Sequence, residues 1–277
     1  MSVSTATIGF IGGGNMAASI IGGLLTSGVD ARQLRAGDPS QESLDRLASL
    51  GPITTSQDNL DIIPGCDVLV MAVKPQLMKV VCAGIADTVQ ASKPLIISIA
   101  AGVTSDSLNQ WLGGNLAIVR CMPNTPALLR CGATGLFANT AVSEIQRQQA
   151  QQILDAVGLA LWVEQESELD AVTAVSGSGP AYFFLMMEAM QASGETLGLS
   201  PDVAKQLSQQ TALGAARMAL ESDVDVAELR RRVTSPKGTT ERAITIFEEG
   251  GFRALVQQAL QGAADRADEL GRELEGE

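Results

Sequence analysis

The first half of the chain alternates between short unbroken apolar runs and stretches whose apolar residues recur every three or four positions. Runs at 7–11, 34–37, 68–73, 95–99 and 116–119 predict strands, and 16–26, 41–50 and 76–89 carry helical periodicity. Strands that alternate with helices build βαβ units around a parallel sheet. The unbroken run at 68–73 predicts a strand buried on both faces. Residues 133–137 and 159–163 are the last strand-like runs. After Glu164 the pattern is helical: 168–174, 179–198, 201–221, 226–233 and 239–270, the last interrupted at Gly250-Gly251. Ser200-Pro201 and Ser235-Pro236 mark helix starts, because proline suits the first helical turn. The expected organisation is an α/β domain with a parallel sheet over residues 1–165 and an all-α domain over 166–277. No internal repeat is visible. The last thirteen residues hold six acids, two Arg and two Gly, and are expected to form a frayed, solvated helix end.

Composition narrows the chemistry. The 277 residues include no histidine, which excludes Ser-His-Asp and Cys-His nucleophile systems, His-ligated zinc and an imidazole proton shuttle. Aromatic residues are only 3% of the chain, so a core drawn from its 45% hydrophobic residues must be mainly aliphatic. A net charge of −12 argues against nucleic acid and anionic membrane surfaces as partners. It leaves room for a phosphorylated small molecule held by helix N-termini. Cys66, Cys82, Cys121 and Cys131 form no CxxC pair and read as reduced thiols. Residues 1–7 lack the features of a secretory signal, and no apolar run approaches the ~20 residues of a membrane span. A cytoplasmic location without membrane attachment is the expectation.

The glycine-rich opening brings in a ligand. Gly12-x-Gly14-x-x-Ala17 follows a predicted strand and opens a predicted helix, which is the dinucleotide fingerprint of a Rossmann-type domain. Gly12 permits the tight turn, Gly14 admits the pyrophosphate, and Ala17 keeps helix and strand close. The helix end offers free N–H groups to a diphosphate. The second strand ends in Asp38. An acid there suits an unphosphorylated adenine ribose and NAD, whereas nearby Arg35 and Ser40 could serve a 2′-phosphate. Asp38-Pro39-Ser40 reads equally as a turn and helix cap.

The motifs then extend along the chain. They are Gly9-Phe10-Ile11-Gly12-Gly13-Gly14-Asn15-Met16, Ala72-Val73-Lys74-Pro75, Ser98-Ile99-Ala100-Ala101-Gly102-Val103, Arg120-Cys121-Met122-Pro123-Asn124-Thr125-Pro126, Ser176-Gly177-Ser178-Gly179-Pro180-Ala181-Tyr182 and Val233-Thr234-Ser235-Pro236-Lys237-Gly238-Thr239-Thr240. In these motifs, their order and their spacing, the chain resembles the pyrroline-5-carboxylate reductase family. The first two motifs are shared with many nucleotide-binding relatives; the last three are more specific. The resemblance implies reduction of 1-pyrroline-5-carboxylate to L-proline by NADP(H) or NAD(H), without a metal. It also implies a Rossmann domain followed by an all-α dimerisation domain that interlocks with its copy, an active site between the domains, and dimers that assemble further into decamers.

Site residues follow from motif and resemblance together. Gly12, Gly13, Gly14, Asn15, Met16 and Asp38 are expected to hold the dinucleotide. Val73 and Lys74 of the Ala72–Pro75 motif, and Ala100 and Ala101, follow predicted strands, and ligands bind outside the carboxyl ends of such strands. Ala72 and Pro75 belong to the same cofactor set. Asn59 matches a family position near the adenosine end. Asn124 and Thr125 either shape the nicotinamide pocket or form a tight structural turn. Ser235–Thr240 reads as a loop feeding a helix N-terminus, suited to the substrate carboxylate through the N–H groups of Gly238, Thr239 and Thr240; an ordinary N-cap is the alternative. The resemblance puts the Thr240 hydroxyl on the ring nitrogen and Ser235 near the carboxylate. It places Ser178 and Gly179, in a loop before a long helix, beside the substrate.

Lys237 departs from the family, where glycine is usual. It adds either a cation for an anionic substrate or a solvated side chain, and it is strained if the backbone needs a positive φ. Tyr182, the sole tyrosine, reads as packing. Arg230-Arg231-Arg232 reads as a solvated face. A hydroxyacid dehydrogenase of similar architecture is a weaker reading, since Lys205 and Lys237 are the only lysines after residue 165. A non-catalytic dinucleotide sensor would have no use for the second polar loop.

Overall fold

The computed structural model describes residues 3–276. Its eight strands are β1 (Ile8–Ile11), β2 (Leu34–Gly37), β3 (Thr54–Ser56), β4 (Val68–Met71), β5 (Leu95–Ser98), β6 (Ile118–Met122), β7 (Gly132–Ala138) and β8 (Gly158–Trp162). They form one sheet in the order β3-β2-β1-β4-β5-β6-β7-β8. All neighbouring pairs are parallel except β6 and β7. The chain doubles back from β1 to β2 and crosses over to β4, so the strand order reverses at the β1/β4 boundary. Open α/β sheets bind ligands at such a point.

Helices α1 (Asn15–Thr26), α2 (Gln41–Ala48), α3 (Asn59–Ile62), α4 (Pro75–Ser92), α5 (Ser105–Trp111) and α6 (Glu144–Asp155) connect the strands. Their ends follow local chemistry. The Ser40 hydroxyl accepts from the Ser43 N–H at the start of α2, and Ser143 and Gln146 form a capping box on α6. Helix α4 starts on Pro75 and stops where Lys93 turns left-handed at φ 46° before Pro94. Strands β1, β4 and β5 are buried along their whole length, as parallel strands covered on both faces must be. One apolar cluster packs Ile20, Ile21 and Leu24 of α1 against Phe10 and Val70. A second, on the other face, packs Met78, Cys82 and Ile85 of α4 against Ile11, Leu69 and Ile96.

After β8 the chain is helical: α7 (Glu168–Val172), α8 (Gly179–Thr196), α9 (Pro201–Glu221), α10 (Val226–Arg232), α11 (Thr239–Glu249) and α12 (Phe252–Glu275). By contacts the described residues form two compact units, one of residues 3–178 with 262–276, the other of residues 179–261. Three expectations need correction. Residues 173–177, whose end was read as part of a loop, form a π-helical turn in which the Ser178 N–H donates to the Thr173 carbonyl at 2.8 Å. Ser235-Pro236 does not begin a helix; α11 begins at Thr239. The C-terminal end is not frayed, because α12 runs to Glu275 and Leu274 packs on the α4-side cluster. Gly271 there lies against the backbone of Gly102, at a spacing where a Cβ would come within 3.2 Å of the Gly102 oxygen. Residue 277, the last of that expected tail, lies outside the described residues.

A buried polar network fixes the start of α7. Glu166 accepts from the Ser105 N–H (2.6 Å), the Ser105 hydroxyl (2.7 Å) and Arg120 Nη1 (2.7 Å), and Arg120 is 8% exposed. Arg120→Met leaves Glu166 without its counter-ion, and a loss on the order of 3 kcal/mol is expected in denaturant unfolding of the α/β unit. Asp170 faces the same cluster. Burial raises its carboxyl above its ordinary value, Arg120 opposes the shift, and Asp268 and Glu166 add to it. The folded chain therefore keeps this proton at pH values where the unfolded chain has lost it. Stability drops as pH rises through that interval. Asp170→Asn is expected to gain stability over the wild type at neutral pH and to lose that gain below the ordinary carboxylate range, as checked by melting temperature against pH.

Candidate active site

The glycine turn between β1 and α1 is dictated by backbone crowding. Gly12 sits at φ 102°, and a Cβ there would lie 2.6 Å from the Ala72 carbonyl oxygen and 3.1 Å from Val73 Cγ1. Both the conformation and the space demand glycine. The Gly12 N–H donates to the Gly37 carbonyl at 2.7 Å, and the Ala72 N–H to the Ile11 carbonyl at 2.8 Å. The turn is thus held between the ends of β2 and β4. Gly14 caps α1 with extended backbone and no side-chain hydrogen bond, and a Cβ on it would meet nothing within 4 Å. The first-turn N–H groups of Asn15 and Met16 face this open end, with the positive end of the helix dipole.

Asp38 is fixed from two sides. Its Oδ2 accepts from the Gly13 N–H at 2.6 Å and its Oδ1 from the Ser40 N–H at 2.8 Å. Asp38 is therefore both turn former and wall of the glycine cradle. Arg35, one side of the open alternative at this strand end, donates to the Pro64 carbonyl at 2.6 Å. Asn59 opens α3, and its Oδ1 is buried without a hydrogen-bond partner. It packs against β2, where a Cβ on Gly37 would meet it at 2.6 Å. A buried amide oxygen without a donor fits a ligand hydroxyl or amine. Next to the glycine turn, Ala72 and Val73 lead into Lys74, the exposed N-cap of α4, with Pro75 in its first turn. One strand further, Ala100 is buried and Ala101 exposed.

Asn124 is committed to the protein. Its Nδ2 donates to the Ser176 carbonyl at 2.9 Å and its Oδ1 accepts from the Ala133 N–H at 2.9 Å. It braces the end of β6 against β7 and the π-helical turn, and Thr125 starts a short 3₁₀ helix behind it. Gly177 of that turn lies under Met122, whose Cε would be 2.8 Å from a Cβ. Ser178 is half-buried, and Gly179 is buried at the start of α8. Single π-helical turns of this kind recur at functional sites.

The Ser235–Thr240 segment lies wholly within the helical unit. The Gly238 N–H donates to the Ser235 carbonyl at 3.0 Å, closing a β-turn with Pro236 and Lys237 at its centre. Lys237 has φ 61°. Pro236 holds a negative φ, so this is a type II turn whose third position favours glycine. The strain expected for Lys237 at a positive φ is therefore present. The Lys237 N–H donates to Glu241 Oε2 at 2.6 Å. Glu241 stands three residues after the N-cap Gly238, so it reaches back as the acid of a capping box does. Gly238 offers no side-chain cap, which leaves the N–H groups of Thr239 and Thr240 open, and Ser235, Thr239 and Thr240 are all exposed. The Tyr182 hydroxyl is buried without a partner. Arg231 and Arg232 pair with Glu228, and Arg230 pairs with Glu248, so this arginine run is spent on intrachain ion pairs.

Two helix residues that hold these loops escape a reading of the sequence. Glu241 had a visible signal in its spacing from Gly238. Arg46 had none: from α2 it donates to Asn15 Oδ1 (3.0 Å) and to the Gly13 carbonyl (2.7 Å). Among the described residues no group of three His, Cys, Asp or Glu side chains could hold a metal ion.

Known proteins resemble this chain in sequence and in fold. Residues 166–270 match the family model described as pyrroline-5-carboxylate reductase dimerisation, and residues 7–102 match NADP oxidoreductase coenzyme F420-dependent. The chain is 56% identical to a pyrroline-5-carboxylate reductase of Pseudomonas aeruginosa over 98% of its own length and 99% of the relative's. Its structure is similar to that of a pyrroline-5-carboxylate reductase from Coxiella burnetii, with TM-score 0.93, 48% identity, and 96% and 98% of the two chains covered. It is also similar to the Plasmodium falciparum pyrroline carboxylate reductase solved with NADP bound, with TM-score 0.84, 28% identity, and 97% and 99% covered.

Two substitutions test the local geometry. Gly12→Val forces a branched side chain onto the Ala72 carbonyl, and loss of dinucleotide binding is expected in a fluorescence titration. Lys237→Gly removes the left-handed strain, and a gain of about 1 kcal/mol is expected in unfolding experiments.

Proposed function

The chain belongs to the pyrroline-5-carboxylate reductase family, and on that premise we propose that it reduces the C=N bond of 1-pyrroline-5-carboxylate to give L-proline, the last step of proline biosynthesis. The observation that carries this reading is that one chain holds both parts the reaction needs. One is a glycine cradle at the switch point of a parallel sheet, closed against Ala72. The other is an open helix N-terminus bearing Thr240.

A reduced nicotinamide dinucleotide, NADPH or NADH, supplies the hydride when bound. In this reading Gly12, Gly13, Gly14, Asn15 and Met16 hold its diphosphate through backbone N–H groups and the α1 dipole. Asp38 and Asn59 hold the adenosine end. Ala72, Val73, Lys74, Pro75, Ala100, Ala101 and Asn124 line the nicotinamide side, where small residues let a flat ring approach the backbone. The substrate carboxylate is an anion, and the N–H groups of Gly238, Thr239 and Thr240 at the start of α11 suit it, with Ser235 beside them. Ser178 and Gly179 complete the substrate contacts. The Thr240 hydroxyl hydrogen-bonds the ring nitrogen and fixes which face of the imine is presented. The C=N carbon takes the hydride, and the nitrogen takes a proton that can come from water, so no strong side-chain base is needed. The work of the protein is alignment and exclusion of bulk water.

The domains of this reading are 1–165 for the dinucleotide and 166–277 for substrate and dimerisation. The helical part supports an oligomer. Along α8, Phe183, Phe184 and Leu185 are 63–68% exposed, and exposed apolar residues in such density favour a protein partner. A homodimer through these helices, with further assembly into decamers, is the proposed state. No helix among the described residues is long and apolar enough to cross a membrane, and a cytoplasmic location fits the reduced thiols.

Thr240→Ala is expected to lower turnover by about 10-fold or more while leaving dinucleotide affinity unchanged, as removal of a transition-state contact should. Steady-state rates and a separate binding titration check this, and undiminished turnover would end the assignment of Thr240. Phe184→Glu is expected to shift sedimentation toward the monomer.

A further inference from the structure

The turn between β5 and α5 is tethered at both ends by hydrogen bonds. At the β5 end the Ile99 N–H donates to the Met71 carbonyl at 3.2 Å, and the Ala100 N–H to the Ser98 hydroxyl oxygen at 3.3 Å. At the α5 end Glu166 accepts from the Ser105 N–H at 2.6 Å and from the Ser105 hydroxyl at 2.7 Å. Between these tethers lie Ala101, which the reading above sets on the nicotinamide side with Ala100, and Gly102, which is left-handed at φ 75°. The direction in which a Cβ would leave Gly102 is filled by α12. Such an atom would meet Leu274 Cδ1 at 3.2 Å and the Gly271 Cα and N at 3.3 Å. From the side of the helix the contact is as tight, since a Cβ on Gly271 would lie 3.2 Å from the Gly102 carbonyl oxygen.

Helix α12 gives up helix propensity to make this approach, because glycine in a helix interior costs backbone entropy. Leu274, one turn further on, packs on the apolar cluster that contains Ala100, Val103 and Leu108. The helix begins among the residues of the helical unit, and from Gly262 onward it belongs to the α/β unit. Close-packed interiors transmit a displacement rather than absorb it. A side chain at position 271 therefore moves the Gly102 carbonyl, and with it the adjoining Ala101 backbone.

We propose that the last turns of α12 are a positioning element for hydride transfer: Gly271 and Leu274, through Gly102, hold the Ala100–Ala101 backbone where the nicotinamide ring needs it. The inference rests on the reading of Ala100 and Ala101 as residues of the nicotinamide side, and the test separates the two. Full-length wild type, Gly271→Ala, Gly271→Val and Leu274→Ala are compared. Turnover of 1-pyrroline-5-carboxylate is expected to fall by about tenfold in Gly271→Val and by less in Gly271→Ala, with little change in KM, as a displacement of a few tenths of an ångström at the reacting atoms should produce. The primary isotope effect with deuterated dinucleotide is expected to rise, because hydride transfer becomes the slower step. Calorimetry supplies a readout apart from turnover. NADH is paired with ADP-ribose, and NADPH with 2′-phospho-ADP-ribose, each fragment lacking the nicotinamide. The whole dinucleotides are expected to bind the variants more weakly, while the fragments bind as they do to the wild type.

A folded Gly271→Val with wild-type turnover and wild-type dinucleotide affinity overturns the proposal. So does a variant in which fragment and dinucleotide weaken alike, which is the mark of a merely structural contact. If Gly271→Val does not fold, Gly271→Ala and Leu274→Ala decide by the same split, the second by loosening the contact instead of crowding it. A wild type that binds dinucleotide but does not reduce the imine ends the reductase reading, and the binding split still decides the role of α12. Absence of binding by all four ligands overturns the cradle and this inference together.

Discussion

The architecture of the dinucleotide side depends on one close approach, that of Gly12 to the Ala72 carbonyl at the boundary of β1 and β4. A side chain at Gly12 would require the two strand ends to separate. Because they do not, the Gly12 N–H reaches Gly37, the Gly13 N–H reaches Asp38, and α1 starts with uncapped N–H groups directed outward. Each later feature inherits its position from that contact. Fully buried strands provide the stiffness, since β1, β4 and β5 expose no side chain that could relax into solvent.

The absence of histidine is consistent with the chemistry assigned to the chain. Hydride transfer to a C=N bond needs alignment and a proton, and the proton can come from water. Backbone N–H groups at two helix starts, at Asn15 and Thr239, suit two anionic ligands on a chain whose net charge is −12. The protein therefore combines a strongly acidic composition with two helix starts that carry no side-chain cap.

Much of this was legible in the sequence, for physical reasons. Unbroken aliphatic runs marked the buried parallel strands, and Gly12-x-Gly14-x-x-Ala17 marked the turn. The conditional strain at Lys237 follows from its left-handed φ of 61°. The unread parts lacked a local signal. Strand β3 is Thr-Thr-Ser, with no apolar residue to announce it. Helix α6 is rich in glutamine, and its buried face includes Gln149 with Ala150, Ile153 and Leu154. The bonds from Glu166 to Ser105 and Arg120 join residues far apart in the chain, and the docking of Gly271 and Leu274 is hidden in an acidic tail. The roles of Asp38 and Asn124 depend on which neighbours their side chains reach, which spacing alone does not give.

The central claim is that this histidine-free chain moves a hydride from a nicotinamide to the carbon of a cyclic imine. The most direct measurement is to supply dinucleotide deuterated at the transferable nicotinamide position, together with unlabelled 1-pyrroline-5-carboxylate, and to examine the proline by mass spectrometry and NMR. Deuterium on the ring carbon next to nitrogen, in an amount matching the dinucleotide oxidised, is the predicted result. Dinucleotide oxidised without labelled proline, or no turnover with either NADH or NADPH, would contradict the account.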